Sequence, residues 1–193
     1  MKKIVLAGIL AAAVSAGAAV YAAPITNPQP GDFKANINYG FDQREGGRDA
    51  DSRFAGGDVT YVVNDKVDVQ YVNNYTKGKN GNTINENYLK GIYRFNPYVS
   101  AYGAVSYLKT NTYSSQHAYG YQVGLQGQVP LADRWQGFAG VGFGDDANTY
   151  EIGVGYDITE NWDAHVKYRR SDIGVDNYND DVKGWQVGMG YKF

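Results

Sequence analysis

The sequence predicts an all-β fold, a single up-and-down antiparallel barrel of ten strands. Two observations lead to this fold: apolar residues recur at every second position along successive segments, and large aromatic residues gather near the ends of those segments. A spacing of two places alternate side chains on opposite faces of a strand, and no segment shows the period of an amphipathic helix. Eight strands remain the alternative, reached if two of the segments form loops.

Composition limits the possible classes of protein. The chain of 193 residues is 43% hydrophobic, contains 25 glycines and no cysteine, and has a mean hydropathy of −0.48. That mean is too polar for a bundle of membrane helices, but it suits strands that are apolar on one face only. The absence of cysteine removes disulfides, thiolate chemistry and cysteine-based metal sites. A net charge of −2 gives no basic excess, so we expect no nucleic-acid partner.

The N-terminal residues 1–22 have the composition of a secretory signal peptide. Two lysines precede an apolar run, and small residues lie before Ala22. The run is too short to cross a membrane as a helix. We therefore expect cleavage after Ala22, a proline-containing periplasmic leader over residues 23–31, and the barrel over residues 32–193.

Ten segments after the leader show the strand alternation. Their predicted bounds are 33–41, 54–63, 66–75, 86–95, 98–108, 118–129, 135–144, 149–158, 162–170 and 185–193. Short turns follow the even-numbered strands, whereas most odd-numbered strands are followed by longer polar connections. We predict loops at 43–53, 76–85, 109–117 and 171–182. Short turns at one end and longer loops at the other are typical of barrels in the outer membrane, with both termini in the periplasm.

The last strand shows the alternation most clearly. Trp185, Val187, Met189, Tyr191 and Phe193 alternate with glutamine, two glycines and lysine, and the chain stops on an aromatic residue. This pattern resembles the terminal strand of Gram-negative outer-membrane β-barrel proteins. In that family the closing aromatic residue and the alternating residues before it are read by the barrel-assembly machinery. The resemblance therefore implies that Tyr191 and Phe193 form an assembly signal.

Alternation by itself also fits a soluble sandwich or a lipocalin, whose apolar faces point inward. Aromatic residues near strand ends indicate instead that the apolar face meets lipid between two aromatic girdles. The predicted girdles contain Phe33, Trp135, Tyr156 and Trp162 at the periplasmic ends and Phe143, Tyr150, Tyr168 and Trp185 at the outer ends. Phe54 is also assigned to the outer girdle. Many glycines on the opposite face leave room for large side chains in a narrow lumen.

The polar face carries charges of both signs. We predict a lumen ion network of Lys34, Asp58, Asp68, Lys90, Arg94, Glu151, Asp157, Asp163, His165, Lys167, Arg169 and Lys192. Nearly matched signs are expected because an unpaired buried charge is costly. A ten-stranded barrel is only slightly wider than an eight-stranded one, which side chains just fill, so we expect a mostly filled lumen. A narrow channel is the alternative, and a general porin with many more strands is excluded.

Candidate catalytic residues are few. Asp163 and His165 invite comparison with ten-stranded outer-membrane proteases, which carry aspartate and histidine at the outer rim, but here they follow a turn at the periplasmic end. His117 lies beside Ser114 and Ser115 without an identifiable acid partner, which leaves a hydrolase or lipid-modifying enzyme poorly supported. The loop carboxylates match no calcium loop. We expect no enzyme activity, no cofactor and no metal.

Over its whole mature length the chain resembles small outer-membrane barrels of the OmpX, OmpA transmembrane-domain and opacity-protein type. The resemblance implies a protein of the cell outer membrane with a structural or surface-interaction role, in adhesion or envelope integrity. Its expected partners are outer-membrane lipid and lipopolysaccharide, the barrel-assembly machinery, and host or cell-surface ligands at the loops. A narrow porin-like channel for small solutes is the alternative, and an outer-membrane protease or lipid-modifying enzyme is a remote one.

Overall fold

The computed structural model describes residues 24, 25, 27–46, 48–78, 81–111, 115–175 and 178–193. The predicted signal peptide and its cleavage site lie outside the described residues. Ten strands follow one another along the chain: β1 Phe33–Glu45, β2 Arg48–Val62, β3 Val67–Lys77, β4 Thr83–Asn96, β5 Val99–Asn111, β6 Ser115–Ala132, β7 Trp135–Gly144, β8 Ala147–Asp157, β9 Trp162–Val175 and β10 Tyr178–Lys192. Within the described part of the chain, no helix is long and apolar enough to cross a membrane.

The ten strands close into one barrel in which each strand pairs antiparallel with its neighbours in the sequence. β1 closes the barrel against β10, with Lys34 opposite Lys192 and Phe41 opposite Trp185. This confirms the predicted up-and-down barrel of ten strands, and the alternative of eight is wrong. We call the end that carries both termini the lower end and the opposite end the upper end.

Polar side chains shape the turns at the lower end. Asn64 Oδ1 accepts hydrogen bonds from the backbone N–H groups of Lys66 and Val67, at 2.9 and 3.0 Å. Asn96 Oδ1 caps the next turn in the same way, 2.8 Å from the nitrogen of Tyr98. Asparagine favours such turns because its side chain replaces a backbone acceptor. These caps join consecutive strands with few residues and fix the register of each pair.

Alternation sets the two faces of the barrel wall along most of its height. On β10, Trp185, Val187 and Met189 are exposed on the outside, whereas Gln186 is 1% exposed and faces the lumen. Large apolar side chains on the outside of a closed barrel require an apolar solvent around them, because in water they would form a large exposed apolar patch. The outer face is therefore the one that meets lipid.

The strands extend into all four predicted upper loops, so the predicted strand bounds are too short at this end. β9 extends to Val175, and its pairing with β10 begins at Tyr178, which lies opposite Val175. The β1–β2, β3–β4 and β5–β6 pairs extend upward in the same way. In these extensions the polarity of the two faces is inverted: Ile173 and Val175 point inward and are buried, whereas Arg170 and Asp172 face outward. This inversion is expected once a strand leaves lipid for water. Because the prediction placed apolar residues on the lipid-facing side, it did not recognise these segments as strands.

Phe54 does not belong to the upper girdle, contrary to the prediction from the sequence. Its side chain is completely buried inside the barrel. Phe54 has the same parity as Asp58 and Thr60 on β2, and the register of β2 against β3 is unbroken between them, so all three point into the lumen. A phenylalanine near a strand end is therefore not enough to assign it to a girdle.

Candidate functional site

The lumen is the candidate functional site, because it gathers most of the buried charged side chains. Alternation places one set of side chains from all ten strands inside the barrel. Nine of the twelve residues predicted for the ion network are almost fully buried there: Lys34, Asp58, Asp68, Lys90, Glu151, Asp163, His165, Lys167 and Arg169. The other three, Arg94, Asp157 and Lys192, are partly exposed near the lower end.

One group of lumen charges lies on β9 and β1. Lys34 Nζ is 2.7 Å from Asp163 Oδ2, and His165 Nε2 is 2.7 Å from Asn38 Oδ1. Asp163 Oδ1 and His165 Nδ1 are 3.6 Å apart. Gly190 makes this packing possible, because a Cβ there would lie 2.6 Å from both Asp163 Oδ2 and the Cε of Lys34. Asp163 and His165 are thus held by lumen partners, and the pair is at the lower end of the barrel.

A second ion pair, between Arg94 and Asp68, connects strands at the lower end of the barrel. Arg94 Nη1 contacts both carboxylate oxygens of Asp68, at 2.5 and 2.7 Å, and Arg94 Nη2 donates to the carbonyl oxygen of Asn64 at 2.7 Å. A guanidinium can bind the carboxylate through one nitrogen and the carbonyl oxygen through another, because its N–H donors point in fixed directions in one plane. The pair joins β4 to β3 and to the turn before β3. Lys192 contributes elsewhere on the rim, 3.7 Å from Asp32.

The middle of the lumen is crowded with charge and rings. Lys167 Nζ is 3.0 Å from Glu151 Oε2. Lys90 Nζ lies over the ring of Tyr102, 4.8 Å from its centroid. Asp58 Oδ2 accepts hydrogen bonds from the side-chain amides of Asn36 and Gln70, at 2.9 and 3.0 Å. These contacts bring charges of both signs together at the middle of the lumen.

Glu86 is the residue that the sequence prediction missed. Its Oε2 accepts from Arg169 at 2.6 Å, from the Tyr88 hydroxyl at 3.0 Å and from the Ser171 hydroxyl at 3.1 Å, and the whole side chain is buried. Arg169 also lies over the Phe54 ring, 5.9 Å from its centroid. Glu86 lies an even number of residues from Lys90 and Arg94 on β4, so it points to the same side of the strand. This spacing could have placed Glu86 in the lumen.

Above Glu86 the lumen contains apolar side chains beside buried threonines, of which Thr76 and Thr110 lie opposite Ile84 on the two neighbouring strands. An upper seal of six buried residues, with Ala118 packed against it, fills the inside of the strand extensions: Ile84, Leu108, Ala147, Ile173, Val175 and Val182. Close packing of apolar side chains excludes water. The upper end of the lumen is therefore occupied by a small hydrophobic core.

The lower mouth is partly occupied by the segment before β1. Ile25 is 7% exposed although it belongs to no strand. Pro24, Ile25 and Pro28 line a cavity of about 50 Å³ together with wall residues from β2 to β6. Larger cavities of about 730 and 450 Å³ lie at the mouth.

Aromatic rings pair across neighbouring strands on the lipid-facing surface. At the lower end the pairs are Trp135 with Tyr156, Trp162 with Tyr191 and Phe33 with Phe193, with ring centroids 4.9, 4.8 and 5.5 Å apart. At the upper end the pairs are Tyr168 with Trp185 and Phe143 with Tyr150, at 5.4 and 6.5 Å. The rise of β1 from Phe33 to Phe41 is about 20 Å along the barrel axis at the usual spacing and tilt. The rings thus lie in two bands at a separation close to that of the girdles of membrane barrels.

The last residue takes part in closing the barrel. The backbone N–H of Phe193 donates to the carbonyl oxygen of Phe33 at 2.8 Å, beyond the end of β10. Its ring stacks edge-on against Tyr191, with centroids 4.7 Å apart. The two residues predicted as an assembly signal therefore lie at the seam between β1 and β10.

A closed antiparallel barrel with a charged lumen and a ringed apolar exterior defines an integral β-barrel membrane protein. The chain belongs to the outer membrane protein beta-barrel domain family, whose model matches residues 4–193. A comparison with curated proteins finds no match.

Solved structures with similar folds include three outer-membrane barrels. The N-terminal β-barrel domain of Pseudomonas aeruginosa OprF is 15% identical, with 86% of this chain and 100% of that chain covered and a TM-score of 0.41. Ail, the attachment invasion locus protein of Yersinia pestis, is 18% identical over 86% of this chain and 100% of its own, with a TM-score of 0.40. An outer membrane channel from Pseudomonas putida F1 is 10% identical over 90% of this chain and 98% of its own, with a TM-score of 0.48.

Proposed function

We propose that this protein is a structural and surface-interaction barrel of the outer membrane, with no catalytic activity and a lumen that does not conduct. The observation that carries this proposal is the upper seal. Leu108, Ile173 and Val182 belong to a hydrophobic core that lies where an open channel would need water. The same core packs inside the strand extensions above the membrane and makes them rigid. Rigid extensions suit a surface that binds other molecules.

Contacts below the seal support a closed lumen. The ion pair of Arg169 with Glu86 bridges β9 and β4, two strands that are not neighbours in the barrel wall. Phe54 and Tyr88 are buried beside this pair. Ions would have to displace these groups to pass, and each displaced buried charge would lose its partner at a large cost.

The outer surface of the extensions supports contact with lipopolysaccharide. Arg170 Nε is 2.7 Å from Asp172 Oδ1 and 3.7 Å from Asp181 Oδ2, and the Arg170 side chain is 47% exposed. The hydrogen bond to Asp172 raises the pKa of the Arg170 guanidinium, so it remains charged at any physiological pH. Lys183 joins the group 2.6 Å from Asp181. Charges of both signs that are at least partly exposed, just above the upper girdle, suit the phosphates and bridging cations of lipopolysaccharide.

Three further parts of the proposal rest on sequence pattern. Residues 1–22 direct secretion and are removed, Tyr191 and Phe193 are read by the barrel-assembly machinery, and the upper hairpins contact host or cell-surface ligands. The position of Asp163 and His165 supports a noncatalytic role, because both side chains are buried in the lumen at the lower end, where Lys34 contacts Asp163 and Asn38 contacts His165.

Conductance in planar bilayers tests the closed lumen. The refolded full chain is expected to give negligible or small, flickering currents, and steady steps of porin size would refute the proposal. Adhesion is tested separately with bacteria that express Arg170→Ala or Asp172→Ala, which change charges on the outer surface and leave the residues of the upper seal intact. A heat-modifiability gel, comparing boiled and unboiled samples, confirms that each variant still forms a barrel. Unchanged adhesion of both variants would count against the surface role.

A narrow channel for small solutes is the second candidate. Buried side-chain atoms without a hydrogen-bond partner among the described residues favour it, including Gln70 Oε1, Asn74 Nδ2 and Thr110 Oγ1. Such atoms are satisfied by water when they are not satisfied by protein. Small steady currents that change with the solute present would support this function over the first.

A further inference from the structure

The segment before β1 folds back toward the lumen instead of leading away from the barrel. Asp32 N donates to the carbonyl oxygen of Gln29 at 3.0 Å, and Gln29 N donates to Asp32 Oδ2 at 2.9 Å. Gly31 adopts a φ of 92°, which glycine accepts far more readily than other residues. This tight turn reverses the chain and directs Ile25 into the lower mouth. We call residues 24, 25 and 27–32 the strap.

The two ends of the strap are held differently. At its C-terminal end, Gly31 N donates to the carbonyl oxygen of Val62 at 2.8 Å, and Val62 N donates to that of Asp32 at 2.9 Å, so the strap continues the pairing of β1 with β2. At its N-terminal end, the carbonyl oxygen of Pro24 accepts one long hydrogen bond from Lys34, at 3.4 Å. Ile25 is buried at this end, and its burial helps to hold the N-terminal half in place.

Ile25 covers a polar part of the lumen. The cavity beside it is lined by Thr60, Gln70, Ser100 and Gln126, which come from β2, β3, β5 and β6. The side-chain carbonyl oxygens of Gln70 and Gln126 have no hydrogen-bond partner among the described residues. If the strap moved away, these groups would face the periplasm through the lower mouth.

We infer that the strap is a periplasmic lid: Ile25 covers the lower lumen on the side of β2 to β6, Gly31 is its hinge, and release of the strap exposes this side of the lumen while the upper seal stays shut. The inference rests on the closed lumen proposed above and adds the element that covers this side of its lower end. An apolar side chain of this size changes an opening equilibrium by about tenfold or more when it is removed.

Accessibility of single thiols tests the lid, because the chain contains no cysteine of its own. Ser100→Cys places a thiol beside the strap, and Ser106→Cys places one higher on the same face of β5; both serines are less than 10% exposed. Each is combined with Ile25→Gly in the refolded full chain, and the rate of reaction with a membrane-impermeant methanethiosulfonate reagent is measured. Heat-modifiability gels verify folding of every variant.

Ile25→Gly is expected to raise the labelling rate at position 100 about tenfold or more and to leave the rate at position 106 unchanged. Ile25→Val should keep labelling slow, because it retains most of the buried surface. Ile158→Gly, which truncates an isoleucine that is 42% exposed at the same end, should have no effect.

Three results would overturn the lid. They are fast labelling at position 100 with the native strap, no acceleration by Ile25→Gly, or equal acceleration at both positions. The outcomes are separable from those of the proposed function. Steady porin-sized currents from the unaltered chain would refute the closed lumen, whereas unchanged labelling with no current would refute only the lid.

Discussion

Removal of the Glu86 carboxylate should destabilise the barrel more than any change to a surface charge. In Glu86→Ala the guanidinium of Arg169 stays buried without its partner at 2.6 Å, and the hydroxyls of Tyr88 and Ser171 lose their acceptor. Breaking a buried ion pair from one side costs about 3–5 kcal/mol, because the remaining charge is not solvated. We expect the free energy of unfolding to fall by about 4 kcal/mol.

A double-mutant cycle separates the pair from its surroundings. Arg169→Ala alone should also be strongly destabilising. The double variant should lose much less stability than the sum of the two single losses, with a coupling energy above about 1 kcal/mol. The control is Asp172→Ala, which breaks the exposed pair with Arg170 and should cost less than about 1 kcal/mol.

The measurement is urea unfolding of the barrel refolded in phospholipid, followed by tryptophan fluorescence. The reasoning fails if Glu86→Ala costs no more than Asp172→Ala, or if the cycle gives no coupling. Either result would mean that water already solvates Arg169, and the lumen would then be more open at this level than the side-chain contacts suggest.

Two further predictions test packing. Leu108→Ala should lower the free energy of unfolding by about 2–5 kcal/mol in the same urea assay, because it leaves a cavity in the upper seal. Leu89→Ala removes the same group from the lipid-facing surface, and an equal loss there would contradict a packed seal. Gly124→Ala should be destabilising because its new Cβ would overlap the Tyr102 ring, whereas Gly103→Ala meets nothing within 4 Å and should be tolerated in a refolding-yield assay. Equal refolding yields for the two variants would show that the lumen wall can shift to accommodate the extra methyl group, and would contradict the prediction for Gly124→Ala.

Much of the wall was predictable from single strands. Transfer of a side chain to lipid depends mainly on that residue, so alternation along β10 was enough to place Trp185 and Met189 outside. The predicted strand bounds were wrong at the upper end because the prediction assumed lipid around the whole strand. Above the membrane Ile173 and Val175 turn inward to avoid water, and the inverted pattern resembled a polar loop.

The contacts inside the barrel were not predictable in this way. Arg169 and Glu86 are 83 residues apart in the sequence, and they meet only because strand tilt and stagger bring β9 and β4 to face each other across the lumen. The return of Ile25 into the lower mouth likewise depends on a turn at Gly31 and a cavity formed by several strands. The lipid-facing side of most strands could be predicted from the sequence, because it depends on one strand and its solvent, whereas the choice of ten strands over eight and the place of Phe54 needed the structure. The pairing of the lumen charges and the groups that occupy the two ends of the lumen could not be predicted, because those contacts depend on the geometry of the closed barrel.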